Sequence, residues 1–221
     1  MRILLVDNFD SFTWNIQHLL VSAGVEVEVI RNDVVNPQGI MQFDGVILSP
    51  GPGLPKEAGQ LMQILPIAVA HRTPLLGVCL GMQAIAEHFG GTLQNLNQVL
   101  HGQQTRITKF ESVGIFDSLE APFEVGHYHS WIVNEVQLPS NLKITAWNDM
   151  GLPMALMHQN LPIQGVQFHP ESVLTPVGRE LLDNWIQSVA EVRLHHPAKP
   201  SGIPVVLGEE WSKKNPHEAG F

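Results

Sequence analysis

Cys79 stands two residues from a glycine on either side, in Gly77-Val78-Cys79-Leu80-Gly81, where the apolar run Pro74 to Val78 meets a segment of helical spacing. That is the spacing of a nucleophile elbow, in which the reactive residue sits on a strained strand-to-helix turn and a Cβ at either glycine would clash as strand and helix cross. A thiol held there gains a helix N-terminus that favours the thiolate, and free backbone N–H groups where an oxyanion would form. The plain alternative is a buried structural cysteine beside packing glycines. Because it is the sole cysteine, Cys79 makes neither an internal disulfide nor a Cys-pair zinc site.

A reactive thiol needs a base, and the segment Gln164 to Ser172 offers one where an apolar strand ends in His169-Pro170-Glu171. Residues two apart on extended chain point the same way, and Pro170 keeps His169 out of the helical region, so imidazole and carboxylate can lie side by side. A carboxylate there fixes the tautomer and stabilises the imidazolium, the third role in a nucleophile-base-orienter set; the competing reading is a surface ion pair. Ser49-Pro50-Gly51-Pro52-Gly53 follows another strand and reads either as a rigid turn or as a loop that brings an N–H near Gly51 to a substrate carbonyl. Such a donor is worth roughly 3–4 kcal/mol in a transition state. Neither a phosphate loop nor a dinucleotide fingerprint is present. His127 and His129 share a strand face, but without His-Glu-x-x-His, a second cysteine or a carboxylate run, no metal is expected. His195 and His196 read as solvated tail residues.

The elements that must position these residues alternate. Strands are expected at 2–6, 25–30, 45–48 and 74–78, and helices after Asp10 or Ser11 as N-cap to Gly24, at 60–71, and from Gly81 to a stop at Gly90-Gly91. The Val/Glu alternation of Val25 to Ile30 suits a position near a sheet edge. From Thr92 to Gln167 the pattern changes to short runs such as 104–108, 144–147 and 154–157, expected to be antiparallel; Ile163 to Phe168 is a further buried strand and 177–192 a helix. The fold class is therefore α/β, an open and mostly parallel sheet flanked by helices with a small antiparallel layer, with sites at strand carboxyl ends. The domain is expected to span 1–192, with 193–221 an extended tail rich in Pro and His near its start. A net charge of −9 with twelve scattered basic residues in 221 argues against a nucleic-acid surface, and no run approaches the roughly 18 apolar residues of a membrane span. The run Ile3 to Val6 ends at Asp7, short of a signal-peptide core, so a soluble, cytoplasmic protein is expected.

Together these segments resemble the class I glutamine amidotransferase family over roughly residues 3–188. The motifs are Asp7 to Phe12, Ser49 to Gly53, Gly77 to Gln83, His129-Ser130-Trp131 and His169 to Thr175. The likeness is greatest to the glutaminase components of anthranilate synthase and aminodeoxychorismate synthase. The resemblance implies Cys79 as nucleophile, His169 as base and Glu171 as its orienter, Gly51 and the Leu80 N–H as oxyanion hole, and Gly51, Pro52, Gly53, Gln83, Ser130 and Trp131 around the glutamine. It implies no cofactor, and it implies a partner, a chorismate-binding synthase subunit that consumes the ammonia. Many relatives carry a basic residue after a His-Gly pair where this chain has Gln103-Gln104, a departure bearing on partner contacts. An α/β-hydrolase-like esterase is disfavoured because its acid precedes the histidine by a long stretch of chain. A non-enzymatic regulatory subunit is disfavoured by the intact Cys79, His169 and Glu171.

Overall fold

The computed structural model describes residues 1–194 and 202–207; His195 and His196, and most of the expected tail, lie outside the described residues. In chain order the elements are β1 (Arg2–Asp7), α1 (Thr13–Ser22), β2 (Glu26–Arg31), β3 (Gly45–Leu48), α2 (Leu61–Ala70), β4 (Leu75–Val78) and α3 (Leu80–His88). They continue as β5 (Leu93–Phe110), β6 (Phe123–Val133), β7 (Leu142–Asn148), β8 (Pro153–His158), β9 (Ile163–Val166) and α4 (Gly178–Leu194). The nine strands form one sheet in the order β2-β1-β3-β4-β9-β8-β7-β5-β6. The first five are parallel and the last four run antiparallel to their neighbours.

Hydrophobic patterning explains this order. β3, β4 and β9 are buried at every residue, as are Ile3 to Val6 of β1, which requires cover on both faces of the sheet. Side-chain alternation splits β1 between two cores: Leu4 and Val6 join Leu48, Ile64, Leu65 and Ile85 beneath α2 and α3, whereas Ile3 and Leu5 join Ile16, Leu20, Leu181 and Trp185 beneath α1 and α4. Each such side chain contributes about 1.5–3 kcal/mol by leaving water. β2, whose Val/Glu alternation wets one face, takes the expected edge. No helix among the described residues is long and apolar enough to cross a membrane.

Three details depart from the pattern-based expectation. Neither Asp10 nor Ser11 caps α1. Its N-cap is Phe12, without a side-chain cap bond; the Asp10 carboxylate instead accepts the Phe12 N–H at 2.8 Å, and Asp7 accepts the Thr13 hydroxyl at 2.8 Å. The antiparallel part continues the main sheet through β9 and β8, and β5 is a single bulged strand of 18 residues, longer than the run 104–108 because its first half is polar and irregular in register. Within the tail, Val206 bridges Val35 and the Val205 carbonyl accepts the Asn36 N–H at 2.7 Å. Gly39 permits this approach, since a Cβ there would stand 2.7 Å from the Val205 Cα.

Candidate active site at the carboxyl ends of the parallel strands

β4 ends at Val78 and α3 begins at Leu80, leaving Cys79 alone to make the turn, with φ +51° and ψ −101°. A non-glycine residue held there is strained, and it persists because its surroundings over-determine it. The Cys79 N–H donates to the Val166 carbonyl at 2.8 Å and its own carbonyl accepts from Gln83 N at 3.1 Å, which pins both sides of the turn. A Cβ on Gly77 would overlap the Gly81 backbone, and one on Gly81 would overlap the Leu48 carbonyl. The glycines two residues either side of Cys79 are thus what let strand and helix cross. Leu80 opens α3, so its N–H belongs to the first turn, whose donors lack intrahelical acceptors.

The segment beyond β9 carries His169, and Pro170 and Glu171 after it form a turn rather than the extended chain expected, with Ser172 N donating to the His169 carbonyl at 3.2 Å. His169 is fixed by backbone at both ends, its N–H donating to Gly126 O at 3.0 Å and its carbonyl accepting the Thr175 hydroxyl at 2.7 Å. Its Nδ1 meets Glu171 Oε1 at 2.7 Å, with both side chains essentially out of solvent. Phe12 and Tyr128 pack on the imidazole at centroid distances of 5.3 and 4.9 Å. The other nitrogen, Nε2, is buried and makes no aligned hydrogen bond, yet it lies within the influence of the Cys79 side chain. Burial alone would lower the His169 pKa; interaction with Cys79 and Glu171 outweighs it, and the imidazole is raised to about 10. Within the folded chain His169 therefore favours its imidazolium form.

Gly51, Pro52, Gly53, Cys79, Gln83, Ser130 and Trp131, expected from distant parts of the chain, line a single cleft of about 230 Å³. The loop carrying Gly51 sits tight: a Cβ there would come 2.6 Å from Asn8 Cβ and 2.8 Å from Leu80 Cδ2, so the loop abuts the start of α3. Gln104 donates to the Leu174 carbonyl at 2.9 Å, tying β5 to the segment after Glu171, and His101 packs edge-on against Tyr128 at 5.3 Å. The Gln103-Gln104 departure thus lies next to the site's own framework.

Several residues of the site were given no place in it from sequence. Val99, Tyr128 and His129 also line the cleft. The fully buried Gln167 directs Nε2 at Cys79 Sγ, 3.5 Å away. Asn32 Nδ2 donates to Asn8 Oδ1 at 3.0 Å, Asn8 Nδ2 donates to the Ser49 carbonyl at 2.7 Å, and the Ser49 hydroxyl donates to Pro50 O at 2.7 Å, a buried network that fixes the loop from behind. His127 and His129 do share a face; they bond each other, Nδ1 to Nε2 at 3.1 Å, and His127 Nε2 meets the Thr105 hydroxyl at 2.7 Å. Burial, with the neighbouring His169 positive charge, lowers His127 to about 4; burial, with His127 and then His169, lowers His129 to about 3. One local signal was available for Gln167: it precedes His169 by two residues, directly after the end of β9.

An elbow thiol, a carboxylate-held imidazole and a cleft at the carboxyl ends of a parallel sheet form an arrangement suited to thiol-dependent acyl transfer. Residues 4–189 match the family described as glutamine amidotransferase class-I, and the chain belongs to that family. Anthranilate synthase component 2 of Mycobacterium tuberculosis (strain H37Rv) is 46% identical over 190 residues, 84% of this chain and 82% of that protein. Aminodeoxychorismate synthase component 2 of Escherichia coli K12 is 40% identical over 186 residues, 83% of this chain and 98% of that one. The aminodeoxychorismate synthase of Streptomyces griseus is 46% identical over 188 residues, 84% of this chain but 26% of that protein. Among solved structures, a chain described as part of a GMP synthase from Thermoplasma acidophilum aligns with a TM-score of 0.79 and 28% identity, covering 88% of this chain and 96% of that one.

Proposed function

We propose that this chain is the glutaminase subunit of a chorismate-using synthase, hydrolysing glutamine at Cys79 and passing ammonia to a synthase partner. The observation that carries the reading is the strained Cys79 at the mouth of the glycine-lined cleft, coupled to the buried His169–Glu171 pair.

The Cys79 thiolate attacks the side-chain amide carbon, and the N–H groups of Gly51 and Leu80 stabilise the oxyanion. His169 gives its Nε2 proton to the departing nitrogen, which leaves as ammonia. The neutral imidazole then takes a proton from water as its oxygen attacks the thioester, releasing glutamate and restoring the thiolate–imidazolium pair. Glu171 holds the ring in register through Nδ1. Gly51, Pro52, Gly53, Gln83, Ser130 and Trp131 surround the substrate.

Ammonia reaches an acceptor unprotonated only if the acceptor's enzyme is docked, so a partner is part of the chemistry. Phe9, Trp14 and Val173, all more than half exposed and located near the site in sequence, supply apolar anchors for one. The Streptomyces griseus aminodeoxychorismate synthase, of which 26% is matched by this chain, supports the same reading. The anthranilate reading stands first on the component 2 relatives, with aminodeoxychorismate formation as the second, supported by relatives of comparable identity. We assign residues 1–192 to the amidotransferase domain, 193–221 to an extension, and the cytoplasm as location.

The test is Cys79→Ala. Glutamine hydrolysis should vanish while the co-purified synthase still makes its aromatic amine from ammonium salts, and the product identifies the pathway. Glutamate release by the variant would overturn the assignment.

A further inference from the structure

Resting on that reading, we infer that Gln167 is a further catalytic residue, which stabilises the Cys79 sulfur anion by direct hydrogen bonding from Nε2. The amide orientation is forced by its partners. The Trp131 carbonyl can only accept, so the Gln83 group facing it at 2.9 Å is the donor Nε2. The same Gln83 Nε2 has a second hydrogen and meets Gln167 at 3.3 Å, which fixes the near atom of Gln167 as its acceptor Oε1. The other end of Gln167 is then necessarily Nε2, and it faces Sγ at 3.5 Å. An apolar strand continuation has no packing need for a fully buried glutamine amide, whereas a buried sulfur anion does need a donor.

Gln167 and His169 lie two residues apart on the bent segment that follows β9, so one short stretch of backbone carries both partners of the sulfur, a neutral donor and an ionisable one. Phe168 between them faces the apolar core with Phe116. The titratable groups near the sulfur are His169 with Glu171 beyond it, and His129 and Tyr128 from β6 in the cleft wall. Gln83 lines the cleft while orienting Gln167, so a bound glutamine that draws on the Gln83 amide also acts on the donor to the sulfur.

The experiment is the pH dependence of iodoacetamide alkylation of the full chain, which reads the thiolate without substrate. Gln167→Met removes the donor at similar volume, and Gln167→Glu keeps the acceptor for Gln83 but replaces the donor with a carboxyl oxygen. Both should raise the midpoint by about one to two pH units, lowering the alkylation rate at pH values below it about ten- to hundredfold, as expected for loss of a bond to a charged group. Gln167→Glu should show the larger effect. Phe168→Leu, a change on the opposite face, should leave the midpoint in place. If either Gln167 variant fails to fold, Gln83→Met, which frees the Gln167 amide to turn over, should raise the midpoint in the same direction. An unmoved midpoint in a folded variant overturns the inference while leaving the glutaminase reading intact. Wild-type labelling that misses Cys79 overturns the reading itself.

Discussion

Acid should unfold this protein through His127 and His129. Both imidazoles are buried, and they are linked in a chain that runs from the Asn148 amide to the Thr105 hydroxyl at 3.2 Å, to His127 at 2.7 Å and on to His129 at 3.1 Å. Burial lowers their pKa values to about 4 and about 3, against 6.5 when free, so the folded state keeps both neutral while the unfolded chain protonates them. Wherever the unfolded state binds more protons, stability falls with falling pH by about 1.4 kcal/mol per pH unit per proton. The loss begins near 6.5 and continues down through the folded values. Allowing for incomplete protonation of the unfolded chain near its pKa, two such groups give about 2 kcal/mol between roughly pH 6 and pH 5. That is a large fraction of the roughly 5–15 kcal/mol a domain possesses. His169 has the opposite sign: raised to about 10, it contributes stability that is complete below 6.5 and lost as pH climbs towards its folded value, by about 1.4 kcal/mol per unit. Stability should therefore peak near 6.5. Urea unfolding across the pH range measures both limbs, and His127→Gln, which removes one titrating group, should cut the slope of the acid limb by about half. A flat acid limb, or imidazole signals from His127 and His129 that titrate near the free value in the folded protein, would refute the reasoning.

Glu171→Gln should lower kcat by about 100-fold or more with KM little changed, because the ring loses both its orienting acceptor and the charge that supports the imidazolium; steady-state glutaminase kinetics check it, and wild-type kcat would remove Glu171 from the mechanism. Gly81→Ala should cost about 1–3 kcal/mol in urea unfolding and abolish rapid alkylation of Cys79, since the added Cβ overlaps the Leu48 carbonyl and forces α3 away from β3. Gly39→Ala should release residues 202–207 from their seat, read as faster hydrogen exchange at the Asn36 and Leu207 amides, which bond Val205 O and Val34 O. Retained protection at both amides would mean that the segment is held by something other than this close approach.

What could be read from sequence was whatever is encoded within about ten residues of chain. The elbow needs glycines at fixed offsets from its cysteine, and the imidazole–carboxylate pair needs residues two apart, so Cys79, His169 and Glu171 announce themselves locally. The two-sided burial of β1, β3 and β4 follows from unbroken apolar runs, and the edge position of β2 from its alternation. Long-range amide networks carry no such signature. Asn8 and Asn32 are 24 residues apart, and Asn8 and Ser49 41 apart, yet together they hold the Gly51 loop; an isolated asparagine in a turn reads as turn chemistry. The α1 start failed for the same reason, because Asp10 serves the turn before the helix while Asp7, at a strand end, reaches across to Thr13.

Gln167 marks the boundary between these cases. The two-residue spacing that relates His169 to Glu171 also relates Gln167 to His169, so its place beside the pair was legible locally. Its partner was not, because 88 residues separate it from the sulfur it faces. A buried polar residue two positions ahead of an imidazole–carboxylate pair, just past the end of a buried strand, is therefore better read as facing the same atom as the pair than as a polar interruption of the strand. The reading has a physical basis: a buried amide without partners would cost about 1–3 kcal/mol, so its position implies that something across the sheet receives it.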